Sequence, residues 1–236
     1  MKVHIIEKEN LKDCILISGF QGIGFTGYIS VKHMIDVLKA RRIGYIENPE
    51  MVPVVTVQND RLSLPTEIYK HENLVIVVNE AFSTTVEMNE TMNLVSNWAR
   101  ANKLKEGVLI GGLNKKFQTD AKVKIKGVAT SKAIHRLKDL NIPILDPGLQ
   151  VVGPLASLLA YCEINDFPAI ALLPYAEERP DPQAAAIAIE VIEKTYEVDL
   201  KASKLLEEAE NLEQKIKELI KMRTDQQQEI DSRMYI

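Results

Sequence analysis

The sequence predicts an α/β fold: a mixed, mostly parallel sheet flanked by helices, Rossmann-like or phosphorylase-like, with a long C-terminal helical extension. Three observations predict it. Short runs rich in Ile, Val and Leu alternate with stretches whose apolar residues recur at helical spacing. A glycine-rich turn from Gly19 to Gly27 joins the first strong strand to the first helix. Near Val198 the aliphatic residues thin out and Glu, Lys and Gln take over. That shift predicts a globular body over 1–198 and an appendage over 199–236.

Taken in order, residues 3–7 and 14–18 read as strands, the second an apolar run with β-branched members. Tyr28, Val31, Ile35 and Leu38 predict a helix over 28–40. Arg41 and Arg42 close it, as cations suit the negative end of its dipole. Residues 43–47 form the next strand, completing β-loop-α-β. A weakly alternating 54–58 ends at the turn dipeptide Asn59-Asp60, and 61–64 returns as its hairpin partner. Strands at 66–71 and 74–79 flank a turn at Glu72-Asn73. Met88, Met92, Val95 and Ala99 place a helix over 86–102, and 106–110 is a buried strand stopped by Gly111-Gly112. The Lys/Val alternation of 122–126 reads as an edge strand guarded by lysines. A helix at 131–140 and a strand at 142–145, interrupted by Pro143, come next. A helix then opens at Pro154, where proline suits the first helical position. A strand at 169–173, a proline-rich loop over 174–182 and an alanine-rich helix over 183–196 complete the body.

Asp199 is placed to cap a further helix from Leu200 to about Ile230, roughly 45 Å long. Val198, Ala202, Leu205, Ala209, Leu212, Ile216 and Leu219 repeat in steps of four and three, a heptad seam. Glu213 and Lys217 form a favourably oriented i,i+4 pair. The seam turns polar at Arg223 and Gln226. Its first half is therefore expected to pack, and the part beyond about Lys221 to project as a flexible tail. The sequence closes on Met234, Tyr235 and Ile236. An apolar side chain, a phenol and a terminal carboxylate able to pair with a lysine make a combination that a partner's pocket can capture.

Composition excludes several classes. With 46% hydrophobic and 26% charged residues the chain is ordinary globular protein, and a net charge of −4 gives no basic footprint for nucleic acid. No run of 18 apolar residues predicts a membrane span, and the first residues lack the apolar core of a signal peptide. A cytoplasmic protein is expected. Cys14 and Cys162 lie far apart and read as buried small hydrophobes in a reducing compartment.

Two features invite a chemical reading. Gly22-Ile-Gly24-Phe-Thr-Gly27 matches G-x-G-x-x-G between a strand and a helix, and Glu47 ends the next strand 20 residues later. One reading is a nucleotide site, for NAD or ATP, built from Gly22, Gly24, Gly27 and Glu47. The other is a tight strand-to-helix crossover in which glycines let backbone approach backbone. The second feature is the titratable set. His4, His33, His71 and His135 are scattered, and no zinc-protease, nucleophile-elbow or Walker pattern exists. Glu80, Glu87 and Glu90 follow a strand end, where α/β sites lie, but carboxylates at a helix start also suit its dipole. No metal, no resident cofactor and no catalytic residue is expected.

The stretch Gly19-Phe-Gln-Gly-Ile-Gly24 resembles the N-terminal signature of the archaeal proteasome assembly chaperone family, related to the second eukaryotic chaperone of that kind. Gly111-Gly112, then Gly148-Leu-Gln-Val-Val-Gly153-Pro154, then Pro180-Asp-Pro-Gln-Ala-Ala185 match in the same order. Gln21 departs from the pattern, where proline is common. The resemblance covers about 1–198. It implies a non-catalytic α/β fold, homo-oligomers with a tetramer favoured, and binding to α-subunits of the proteasome core particle. Met234, Tyr235 and Ile236 are the partner-binding residues it implies. The family has also been linked to ATP-grasp carboligases, but no phosphate-clamping lysine pattern stands here. The expected function is therefore a proteasome assembly chaperone or adaptor. The alternatives are a nucleotide-dependent enzyme using the glycine loop and a purely structural oligomer.

Overall fold

The computed structural model describes residues 1–58, 60–82 and 84–207. The tail triplet, the seam from Ala209 onward and the Glu213–Lys217 pair lie outside the described residues.

Every residue of β2 (Ile15–Gly19) is buried. A strand apolar on both faces must be covered on both, and parallel neighbours with crossover helices supply that cover. Accordingly β2 pairs in parallel with β7 (Leu74–Asn79) and with β8 (Glu106–Ile110). β8 pairs in parallel with β11 (Ala169–Ala176). The flanks are antiparallel: β6 (Thr66–His71) on β7, β3 (Arg41–Glu47) on β6, β1 (Lys2–Ile5) on β3, and β10 (Ile125–Ala129) on β11. The short β9 (Leu113–Asn114) joins the end of β11. The order is β1-β3-β6-β7-β2-β8-β11-β10, a mixed sheet with a parallel centre. A separate hairpin, β4 (Thr56–Gln58) and β5 (Arg61–Ser63), stands off the sheet.

Strand alternation divides the core in two. Ile15, Ile17, Ile76, Val108 and Ile170 face α1 (Thr26–Val37) and α5 (Pro182–Tyr196). Leu16, Val75, Val77, Leu109 and Ala171 face α2 (Thr85–Ala101) and α4 (Gly153–Ile164). Period two on each strand therefore sorts side chains between two helical layers. α3 (Ile134–Asp139) covers β10.

Some expected elements differ. The strand over 142–145 is reduced to one bridge, Ile144 with Gly127. Pro143 has no N–H to donate, and its carbonyl accepts from Gly127 instead. The edge strand expected at 122–126 forms at Ile125–Ala129, because its register is set by the β11 residues opposite. Asp199 does not cap the next helix. The Glu193 carboxylate of α5 accepts from the amides of Leu200 and Ala202, at 2.9 and 3.3 Å, and Asp199 only from that of Lys201. Helical backbone then resumes over 202–207. Leu200, Ala202 and Leu205 are buried within the α1/α5 layer, so the body's core continues past Val198.

Candidate functional site

The parallel strands bring their carboxyl ends to one edge, where open α/β sheets hold ligands. β2 exits through Phe20-Gln21-Gly22, β7 through Glu80, and β8 through Gly111-Gly112. The loop over 145–152 returns to this edge before α4, with Pro154 in the first turn. Together they line a cavity of about 380 Å³ whose walls include Phe20, Leu113, Phe117, Leu149, Leu155 and Leu173. A second hollow continues it past Gln21 and Pro154 toward Asn79, Glu80, Phe82 and Met88. Glu80 is the one ionisable side chain among the described residues lining the cleft.

The glycine loop is shaped by close packing. A Cβ on Gly27 would collide with the Ile110 carbonyl of β8, and one on Gly19 with the Gly27 carbonyl. Gly24 is left-handed at φ 63° and lies against Ala176 and the Glu177 carbonyl. Its own carbonyl accepts from the Asp181 amide at 2.9 Å. A Cβ on Gly22, by contrast, would meet nothing. The loop thus seats α1 on β8 and on the turn before α5.

The arrangement required of Glu47 for nucleotide binding is not formed. β3 is separated from β2 by β6 and β7, which is about 14 Å at the usual strand spacing. β6 and β7, antiparallel to each other, occupy the place where a dinucleotide fold sets the second strand beside the first. Glu47 instead pairs with His4 at 2.5 Å. Gly22, Gly24 and Gly27 stay together, without that carboxylate.

Glu80 is already engaged. Tyr28 donates to it at 2.5 Å, Lys32 pairs with it at 3.2 Å, and the Gln21 side chain donates to its backbone carbonyl. Burial, then the Glu80 carboxylate, push the Tyr28 phenol up from its ordinary value. Glu87 is buried in the first turn of α2, where the Thr84 hydroxyl accepts from its amide. Glu90 is exposed. His33 is a packing residue, its Nε2 2.8 Å from the Leu200 carbonyl. Of these three carboxylates, Glu80 alone is among the described residues that line the cleft.

A family model described as the PAC2 family matches residues 16–220. The chain belongs to the PAC2 family. An uncharacterised protein of Methanocaldococcus jannaschii is 28% identical to this PAC2 chain over 217 residues, covering 90% of this chain and 87% of that protein. Among solved structures, the PAC2 chain is similar to Pyrococcus furiosus PbaA, described as an archaeal homologue of proteasome-assembly chaperone. That likeness has a TM-score of 0.84 at 22% identity, over 99% of both chains. Pyrococcus furiosus PbaB, described as an archaeal proteasome activator, gives 0.75 at 20% identity, over 92% of this chain and 98% of that one. These likenesses establish a shared PAC2 fold.

The stretches that carried the sequence resemblance meet at the PAC2 cleft. Gly22, Gly111-Gly112 and the segment around Gly148 and Pro154 line it, and the Asp181 turn closes the loop behind it. Sequence reasoning missed the cleft's apolar wall, Phe117 and Leu149 above all. The available signal was position: each stretch directly follows a strand or precedes a helix at the same edge.

Proposed function

We propose that this PAC2 chain is a proteasome assembly chaperone or adaptor, non-enzymatic and homo-oligomeric with a tetramer favoured. It docks on the α-subunits of the core particle through Met234, Tyr235 and Ile236, in the cytoplasm. One observation carries the reading: family membership across 16–220, with a fold shared by PbaA and PbaB, stands beside an apolar-Tyr-X ending. Met234 would fill an apolar pocket, the Tyr235 phenol would add area and one hydrogen bond, and a terminal carboxylate would pair with a lysine. Several such tails on one oligomer gain by avidity where their spacing suits the ring.

The test is binding of the full chain to purified core particle, with and without residues 234–236. The expected result is a loss of at least tenfold, about 1.4 kcal/mol, on deletion. Undiminished binding of the shortened protein overturns the docking role of the tail.

A further inference from the structure

The cleft at the carboxyl edge has an open backbone along its rim. Val152 is extended, at φ −131° and ψ 166°. The N–H groups of Gln150, Val151 and Val152 donate to no partner among the described residues. Extended backbone with open donors is a template for another strand. Val152 is 72% exposed, so an apolar side chain stands uncovered beside those donors. Gly148 and Gly153 bracket the segment, and a Cβ at either would meet nothing. Gly22, across the cavity, is equally open. Bare backbone is what allows a second backbone to approach closely.

We propose that this cleft binds an extended peptide segment of a partner. The peptide pairs its backbone with the amides of Gln150 and Val152, which lie two apart on one edge, and places one uncharged apolar or aromatic side chain between Phe20, Leu113, Phe117 and Leu155. The cavity, about 380 Å³, lies at the small end of the range for ligand sites, ~300–1,000 Å³. Its lining is mostly apolar and, among the described residues, carries no charge, while Glu80 in the adjoining hollow is already paired, which selects against a charged ligand. The open amides of Gln150 and Val152, two residues apart, can face one added strand and favour a peptide over a hydrocarbon, which would leave both unpaired. The inference does not depend on the tail reading, and its test contains no proteasome.

The probe is a fluorescein-labelled, acetylated and amidated heptapeptide, Ser-Val-Ser-Phe-Ser-Val-Ser, titrated with the full chain by fluorescence anisotropy. Saturable binding is expected at about 10–100 µM. N-methylation of the three apolar residues, which removes their donors and crowds the paired edge, weakens it at least tenfold. Gly22→Leu also weakens it at least tenfold. Its backbone, at φ −162°, is extended and an added Cβ would meet open space at the cavity lining, so a side chain is accommodated without strain and the melting temperature is retained. Should Gly22→Leu fail to fold, Val152→Lys at the exposed rim gives the same reading. Absence of saturation up to about 1 mM overturns the proposal. So does equal binding of the N-methylated peptide, which would mean apolar sequestration without strand pairing. Concentration-dependent self-association that Gly22→Leu abolishes, with no peptide binding, overturns it in favour of a second copy.

Discussion

Gly22 and Gly27 belong to one motif and meet different surroundings. Gly27 lies against the Ile110 carbonyl, and backbone there cannot yield as a side chain can. Gly27→Ala is expected to cost about 3 kcal/mol. Gly22→Ala, with open space and an extended φ, is expected to stay within about 0.5 kcal/mol. Urea melts of both variants check the contrast, and equal losses would refute the packing account of the loop. Glu67 supplies a second test at this scale. It is fully buried, and burial alone would raise its carboxyl. Hydrogen bonds from Arg61, Tyr69 and Arg42, and from the Leu64 amide, outweigh that and hold it at about 2. A carboxyl lowered by folding stabilises the protein above its unfolded value near 4.5, and that stability is lost as pH falls toward 2. The contribution is on the order of 3 kcal/mol. Glu67→Gln leaves two guanidiniums without their carboxylate and is expected to cost about 3–5 kcal/mol at pH 7. The gap from the parent should narrow when the melts are repeated at pH 3. A gap that holds at pH 3 would show that the charge is not responsible.

The root of the C-terminal extension is held by hydrogen bonds and by burial together. The Glu193 carboxylate accepts from two amides, the His33 ring donates to the Leu200 carbonyl, and Leu200 and Leu205 are buried beside α1. Removing the carboxylate by Glu193→Ala frees both amides and is expected to cost about 1–2 kcal/mol locally. Trypsin cleavage after Lys201 and Lys204 should accelerate roughly tenfold while the body stays intact. Unchanged cleavage would mean that Glu193 does not hold the root. The sequence displays only part of this. Heptad spacing shows that Leu205 packs, but a capping carboxylate from the previous helix leaves no local pattern, whereas Asp199 does. The same division runs through the sheet. Strands at 66–71, 74–79 and 106–110 were legible because burial and β-branching are local properties. The shift of β10 and the loss of 142–145 were not, because the chain opposite decides them.

At the scale of the whole molecule, strand order was the illegible part. Nothing local in 54–79 says that β6 and β7 insert between β3 and β2, yet that insertion alone parts Glu47 from the glycine loop. The cleft was half legible for a related reason. Its glycine stretches are visible in one dimension, while its wall is assembled from Phe20, Leu113, Phe117 and Leu149, distant in the chain. Core membership yields the last prediction. The described core residues run to Leu205. A chain ended at Glu207 keeps them all and should melt within about 2 °C of the full protein. A chain ended at Val198 loses Leu200 and Leu205, on the order of 4 kcal/mol of burial, and should melt roughly 8–16 °C lower. On the proposed function the Glu207-ended chain keeps its melting temperature and loses core-particle binding. If it instead melts with the Val198-ended chain, residues beyond 207 belong to the body's core. If it still binds the particle, docking resides in the body and the tail reading is lost.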